Sequence, residues 1–288
     1  MILYGTEVAL HMKNFLSEKT CELKKSGLTP TLGIIRIGAN KSDLSYEKGI
    51  LKKFSELEIN TKIFEFPEDI SQNDFDNEFQ KINLEKNIHG ILLFRPLPKN
   101  LSDKYSREKI FSFKDVDCMG YANNSKLFSG ESDCFAPCTA SAVMEILDFY
   151  KIALESKNVV IIGRSMVLGK PLSMLMLNRN ATVTICHSKT KNLAEICKNA
   201  DILVSAIGKA EFIKSEFVSS KSVIIDVGIN VNNNGKLCGD VDFKNVCDLV
   251  SAITPVPKGV GAVTTSVLAK NILRSCELNA DIMSENHK

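Results

Sequence analysis

Asn158–Thr190 holds the residues best suited to chemistry: NVVIIGRSMVLGKPLSMLMLNRNATVTICHSKT. Val159–Ile162 is a β-branched run of the kind found in strands buried on both faces. Gly163 breaks it, and Arg164 and Ser165 follow. Gly169 and Pro171 then open a segment with Leu172, Leu175, Met176 and Leu177 at helical spacing. Ala181–Cys186 reads as a second strand, ending in Cys186-His187-Ser188. Strand, glycine turn, helix and strand make one βαβ unit of a dinucleotide-binding domain. Its turn offers free backbone N–H groups and a positive helix end to a pyrophosphate. The spacing Gly163-Arg164-Ser165-x-x-x-Gly169 differs from the common G-x-G-x-x-G, so a crossover that binds nothing stays open on these residues alone. The end of the second strand narrows the choice. An NAD site usually has an acid there for the ribose 2′-hydroxyl. This chain has His187, Ser188 and Lys189, with Arg164 in the first turn. Cations and donors in place of an acid suit a 2′-phosphate, hence NADP. Taken singly, Arg164 or Lys189 reads as a solvated surface charge, the commoner fate of either residue alone.

Elements must position these groups, and the chain is long enough for two domains at 288 residues. A hydrophobic fraction of 44% with 24% charged residues is that of an ordinary globular protein. The net charge of +2 makes no electrostatic case for a nucleic-acid or membrane partner. No apolar run approaches the ~20 residues of a membrane span. The opening MILYGTEVALHMKNF lacks a basic leader before an apolar core, so no signal peptide is expected. Nine cysteines, at 21, 118, 134, 138, 186, 197, 238, 247 and 276, form an odd and unpatterned set. That points to reduced thiols in the cytoplasm. Cys134-x-x-x-Cys138 has no second pair and no nearby histidine, so no metal site is expected.

In chain order, Thr6 is placed to cap a first helix with Val8, Met12, Phe15 and Leu16 on one face. Leu32–Ile37, Thr61–Phe66 and Gly90–Leu93 read as strands. Leu44–Leu57 reads as a helix despite Gly49, which costs about 1 kcal/mol against alanine. Phe75, Phe79 and Ile82 mark another helix. This alternation predicts a parallel α/β domain. Ser141–Tyr150 is expected to be a helix linking the halves. Later strands are Ile202–Ala206 and Val223–Asp226, ended by Gly208 and Gly228. The Thr254–Gly261 loop is stiff and glycine-hinged, and a last helix over Thr264–Arg274 precedes a polar tail.

Taken together, these residues resemble the methylenetetrahydrofolate dehydrogenase/cyclohydrolase family over nearly the whole chain. The motifs are Gly38 with Tyr46, Pro96-Leu97-Pro98, Lys114-Asp115-Val116-Asp117, Pro137-Cys138-Thr139, Gly163-Arg164-Ser165, Cys186-His187-Ser188, Asp226–Asn230 and the Thr254–Thr264 loop. The resemblance implies an α/β protein of two domains flanking a cleft. A folate-binding domain spans 1–138 and is completed by a C-terminal helix over 264–288. A Rossmann-type NADP domain spans 139–263. The implied reaction is oxidation of 5,10-methylenetetrahydrofolate by hydride transfer to NADP, followed in many members by hydrolysis to 10-formyltetrahydrofolate. A homodimer handling tetrahydrofolate derivatives is implied. Tyr46 and Asp117 are the implied catalytic residues: Tyr46 packs on the folate, and Asp117 accepts hydrogen bonds from the pterin. On their own, Tyr46 would read as a half-buried core tyrosine and Asp117 as a turn residue or cap. Leu97, Pro257 and Gly259 join the substrate side. Gly163, Arg164, Ser165 and Ser188 are implied at the cofactor phosphates and Ile229 at the nicotinamide, with Gly261 and Thr264 also on the cofactor side.

Two departures from the family pattern bear on activity. The family's Tyr-Val-x-x-Lys-x-Lys becomes Tyr46-Glu47-Lys48-Gly49-Ile50-Leu51-Lys52, so Ile50 occupies the position of the lysine held to drive hydrolysis. Helical periodicity places Ile50 on the face of Tyr46 and takes Lys48 and Lys52 off it; Lys53 returns to that face one turn on. Phe94 stands where the family usually has a glutamine expected to bond that lysine. An apolar pair replaces a polar one, which avoids an unmatched buried group at about 1–3 kcal/mol. Lys258 and Ala262 also replace residues that tend to be Gly and Pro. The sequence therefore reads as an NADP-dependent dehydrogenase with weak or absent cyclohydrolase activity. The alternatives are the full bifunctional enzyme and an inactive folate- or nucleotide-binding regulatory protein.

Overall fold

The computed structural model describes residues 1–232 and 235–285, with side chains described to residue 280. In chain order it begins with α1 (Gly5–Lys25), β1 (Thr31–Ile37), α2 (Lys41–Glu56), β2 (Asn60–Phe66), α3 (Gln72–Leu84), β3 (Gly90–Leu93), α4 (Lys104–Lys109) and α5 (Tyr121–Ser129). It continues with α6 (Cys138–Phe149), β4 (Asn158–Ile162), α7 (Gly169–Leu177), β5 (Thr182–Cys186), α8 (Leu193–Lys198), β6 (Ile202–Ser205) and β7 (Val223–Asp226). A short β8 (Asn230–Val231), β9 (Leu237–Cys238), α9 (Phe243–Val246) and β10 (Ala252–Ile253) precede α10 (Gly261–Glu285). The expected class, α/β with parallel sheets in two domains, is what the chain adopts. Among the described residues no helix is long and apolar enough to cross a membrane.

One compact unit comprises Met12–Cys138 with Thr265 onward. Its sheet is β2-β1-β3, parallel throughout. Ile35, Ile37, Ile91 and Leu93 from the sheet pack with Phe75, Phe79 and Ile82 of α3 in one apolar cluster. The helix carrying Tyr46 starts earlier than expected because Asn40 caps it, its side chain accepting from the Ser42 N–H at 2.9 Å. Gly49 has open space around it, so the helix runs through it without a packing conflict. Phe15 departs from the expected buried face of α1: Val8, Met12 and Leu16 are buried, but Phe15 is 55% exposed. Neighbouring residues project about 100° apart on a helix, so a stripe continuing from Leu16 to Thr20 and Leu23 leaves Phe15 at its side.

The other unit comprises Met1–His11 and Thr139–Thr264. Its sheet order is β10-β7-β6-β4-β5, all parallel. Two boundaries differ from the sequence reading. Residues 1–11 were expected in the folate domain, yet they belong with the sheet of this unit. The Leu3 N–H donates to the Ile253 carbonyl at 2.8 Å, and the Tyr150 hydroxyl donates to the Tyr4 carbonyl at 3.2 Å and the Glu7 carboxylate at 2.9 Å. Thr6 does not cap α1, which starts at Gly5, where a Cβ would collide with the Gly259 carbonyl. The last helix likewise starts earlier, at Gly261, and runs on to Glu285. Of the polar tail expected after it, 286–288 lie outside the described residues.

Lys258 carries a cost. Its φ is +78°, in the left-handed region, where a lysine Cβ crowds the backbone. Lys258→Gly should raise stability by roughly 0.5–1 kcal/mol, the relieved strain outweighing the entropy lost by glycine. Thermal unfolding measures it; a lower melting temperature would show that the lysine side chain contributes more than its backbone conformation costs.

Candidate active site

In the Met12–Cys138 unit, α2 presents Tyr46, and β3 runs into Phe94 and Arg95. The Tyr46 and Phe94 rings lie 5.7 Å apart at 33°. Ile50, one turn on from Tyr46, is fully buried. Burial pushes the Tyr46 phenol well up, with the Cys138 thiol and Asp117 carboxylate adding to it, so the structure brings Tyr46 and Asp117 within electrostatic reach. Asp117 Oδ1 accepts the backbone N–H of Cys138 at 2.8 Å. The cap reading of Asp117 is thus realised, but at the start of α6, a helix far along the chain. Burial pushes the Asp117 carboxyl up, while the Cys138 hydrogen bonds and the Arg95 guanidinium pull it back. Leu97 is half-buried against the β1–α3–β3 cluster.

Sequence reasoning missed one buried ion pair here. Arg36 Nε lies 3.0 Å from Glu47 Oε2, and Arg36 Nη2 lies 2.9 Å from Glu65. Glu47 directly follows Tyr46, so the pair fixes that turn of α2 to β1. The only clue was a charge inside an otherwise apolar strand, Ile34-Ile35-Arg36-Ile37. Lys53 does not join Tyr46. It is half-buried, and the charges that act on it are Glu56 and Lys13; burial lowers its pKa.

In the other unit, the turn after β4 is built for close approach. Gly163 has φ +129°, and a Cβ there would lie 2.7 Å from the Ala206 carbonyl oxygen. A Cβ on Gly169 would collide with the Gly163 carbonyl. Ser165 Oγ accepts the Leu168 N–H at 3.1 Å, and no side chain caps α7. The result is a backbone cradle at the positive end of a nine-residue helix, with Arg164 exposed beside it. After β5, Ser188 and Lys189 are exposed, and the Lys189 N–H donates to His187 Nδ1 at 3.2 Å. This donor set fits a dinucleotide carrying an extra phosphate: glycines where phosphate must approach the backbone, and cations where an acid would repel it.

A cavity of the same unit, about 360 Å³, is lined by Asp226, Gly228, Ile229, Pro257, Gly259 and Gly261, among others. The sequence reading divided four of these between substrate (Pro257, Gly259) and cofactor (Ile229, Gly261); the structure puts them around one apolar space. Thr264 is not with them, and its hydroxyl donates to the Val260 carbonyl at 3.4 Å. Burial pushes the Asp226 carboxyl up to about 7, with nearby Asp240 adding to it and the N–H groups of Val241, Asp240 and Gly228 opposing.

A Rossmann-type unit with this cradle, together with a second parallel α/β unit, defines a dinucleotide-dependent enzyme. Residues 137–280 match the NAD(P)-binding domain, and residues 3–117 the catalytic domain, of tetrahydrofolate dehydrogenase/cyclohydrolase. The chain belongs to that family. It is 53% identical over 279 residues to the bifunctional protein FolD of Clostridium botulinum, covering 97% of this chain and 99% of the relative. Its fold is similar to the bifunctional methylenetetrahydrofolate dehydrogenase/cyclohydrolase of Campylobacter jejuni, with a TM-score of 0.94 at 37% identity, covering 96% of this chain and 99% of the other. It is also similar to the Trypanosoma brucei methylenetetrahydrofolate dehydrogenase-cyclohydrolase solved with NADP and an inhibitor, with a TM-score of 0.91 at 32% identity, covering 97% and 98%.

Proposed function

We propose that the chain oxidises 5,10-methylenetetrahydrofolate with NADP and hydrolyses the methenyl product weakly or not at all. The dehydrogenase reading rests on family membership and on the glycine cradle with Arg164 and Lys189 beside it. NADP supplies the hydride acceptor. The protein's own part is placement. Asp117 holds the pterin edge, and Tyr46, with its ring backed by Phe94, packs on the folate. Hydride transfer asks for little acid or base help, so alignment of the reacting carbons carries most of the rate. Two copies of this chain in a homodimer are the assembly proposed, and size-exclusion chromatography with light scattering tests it.

The weak second step rests on one observation: a fully buried isoleucine, Ile50, stands on the Tyr46 face, and Lys53 answers to Glu56 and Lys13 instead. Hydrolysis needs a group to manage protons as water attacks, and isoleucine has none. The second reading, full bifunctionality, is favoured by the relatives' names. The Clostridium botulinum protein is called bifunctional, and none of the names cited speaks for loss of hydrolysis. One assay separates the two: mix protein, 5,10-methylenetetrahydrofolate and NADP, and follow reduced cofactor and methenyl absorbance independently. Equal, lasting accumulation of both supports the first reading. Methenyl decay faster than the protein-free blank supports the second, and no reduced cofactor removes both.

Cofactor choice has its own test. Arg164→Ala should raise the Michaelis constant for NADP by roughly 10–100-fold, the value of one or two hydrogen bonds to a charged phosphate, and leave NAD nearly unchanged. Equal changes for the two cofactors would show that Arg164 does not read the 2′-phosphate.

A further inference from the structure

Asp240 is fully buried and lies outside every motif that carried the sequence argument. Its carboxylate accepts four hydrogen bonds. Oδ2 takes the Ser205 hydroxyl at 3.1 Å and the Ile207 N–H at 2.7 Å. Oδ1 takes the Lys209 N–H at 2.9 Å and the Asn230 side-chain amide at 3.0 Å. Ser205 ends β6, Ile207 and Lys209 belong to the loop after it, and Asn230 follows the loop after β7. One side chain therefore ties together both loops beyond the carboxyl ends of β6, which pairs with β4, and its other neighbour β7. A second carboxylate holds this one in place. Asp226, at the end of β7, accepts the backbone N–H groups of Asp240 at 3.0 Å, Val241 at 2.9 Å and Gly228 at 3.0 Å. Glycine is required at both contact points: a Cβ on Gly228 would collide with the Asp240 carboxyl, and one on Gly239 with that of Asp226.

Ligands of open parallel sheets lie at these strand ends. The β4 turn and the β5 end take the pyrophosphate and the 2′-phosphate ribose, so the remaining half of a dinucleotide must lie toward β6 and β7. Ile229 sits between the two Asp-held residues Gly228 and Asn230 and is 69% exposed on the wall of the apolar cavity. We propose that Asp240 is the positioning residue for the nicotinamide half of the NADP site, acting through the 206–209 and 227–230 loops without touching the cofactor. The proposal rests on the NADP reading above.

The test is calorimetric titration of NADP and of adenosine 2′,5′-bisphosphate, which lacks the nicotinamide half, into the purified protein and two variants. Asp240→Asn keeps the shape but turns one acceptor oxygen into a donor that faces N–H groups. Asn230→Ala deletes a single half-buried amide and keeps the protein folded if Asp240→Asn does not. Both should weaken NADP binding about tenfold, leave adenosine 2′,5′-bisphosphate within twofold, and combine non-additively because they share one bond. Variants that bind NADP like the parent overturn the role, as does equal weakening of both ligands, which marks a general structural defect. A parent protein that takes up no NADP removes the cofactor reading and this role with it.

Discussion

Asp117→Asn should weaken folate binding by about 100-fold and leave NADP binding nearly unchanged. The asparagine amide keeps one acceptor oxygen and gains an NH₂ donor. The Cys138 N–H, which Asp117 Oδ1 accepts at 2.8 Å, will claim that oxygen. The NH₂ then points at the pterin donors. Two charge-assisted hydrogen bonds are lost, each worth about 1.5–3 kcal/mol, of which part returns through water. Calorimetry with both ligands measures the outcome, and normal folate affinity would remove Asp117 from the pterin site. The pH dependence has a definite sign. Asp117 must be ionised to accept from the pterin, and burial raises its pKa. Folate affinity should therefore fall as the pH drops, beginning at a higher pH than for an ordinary carboxylate, while Asp117→Asn should show no such step.

Hydrolysis of the methenyl product should rise well above either single variant in Ile50→Lys/Phe94→Gln. Ile50→Lys alone places an amine at a fully buried position with no partner built for it. Its charged form is disfavoured and the fold is weakened. Phe94→Gln alone opens space and adds an amide with nothing to bond. Together they restore a polar pair, a coupling expected of residues that form one unit. The readout is decay of methenyl absorbance in a buffer that slows the spontaneous reaction. If the unmodified protein already hydrolyses the methenyl product as fast as it makes it, the isoleucine is no barrier and the bifunctional reading stands.

Most of the fold was legible because β1, β3, β4, β6 and β7 are buried on both faces. Gly90–Leu93 and Val159–Ile162 are unbroken apolar runs, Leu32–Ile37 is one but for a single residue, and parallel sheets demand that pattern. Arg36 is the exception, and its charge is absorbed by Glu47 and Glu65, which no local spacing announces. The short β10 was not legible, since two residues carry no periodicity; partners on both sides define it, β7 and Leu3. At the site, motifs pointed to Asp117, Gly163 and Ile229, but not to what holds them. Cys138 lies 21 residues from Asp117, and Asp240 lies 31 residues from Lys209. Such partners meet only after folding. A lone aspartate after a glycine has no signature of its own.

The clasp between the first residues and β10 has a consequence during synthesis. Leu3 and Val8 are buried, at 0% and 1% exposure, and Leu3 hydrogen-bonds to Ile253. A ribosome adding about 5–20 residues per second delivers Ile253 roughly 12–50 s after Leu3. For that interval the apolar Leu3 segment waits without its partner strand. The nucleotide unit closes this edge of its sheet only once Ile253 has been made.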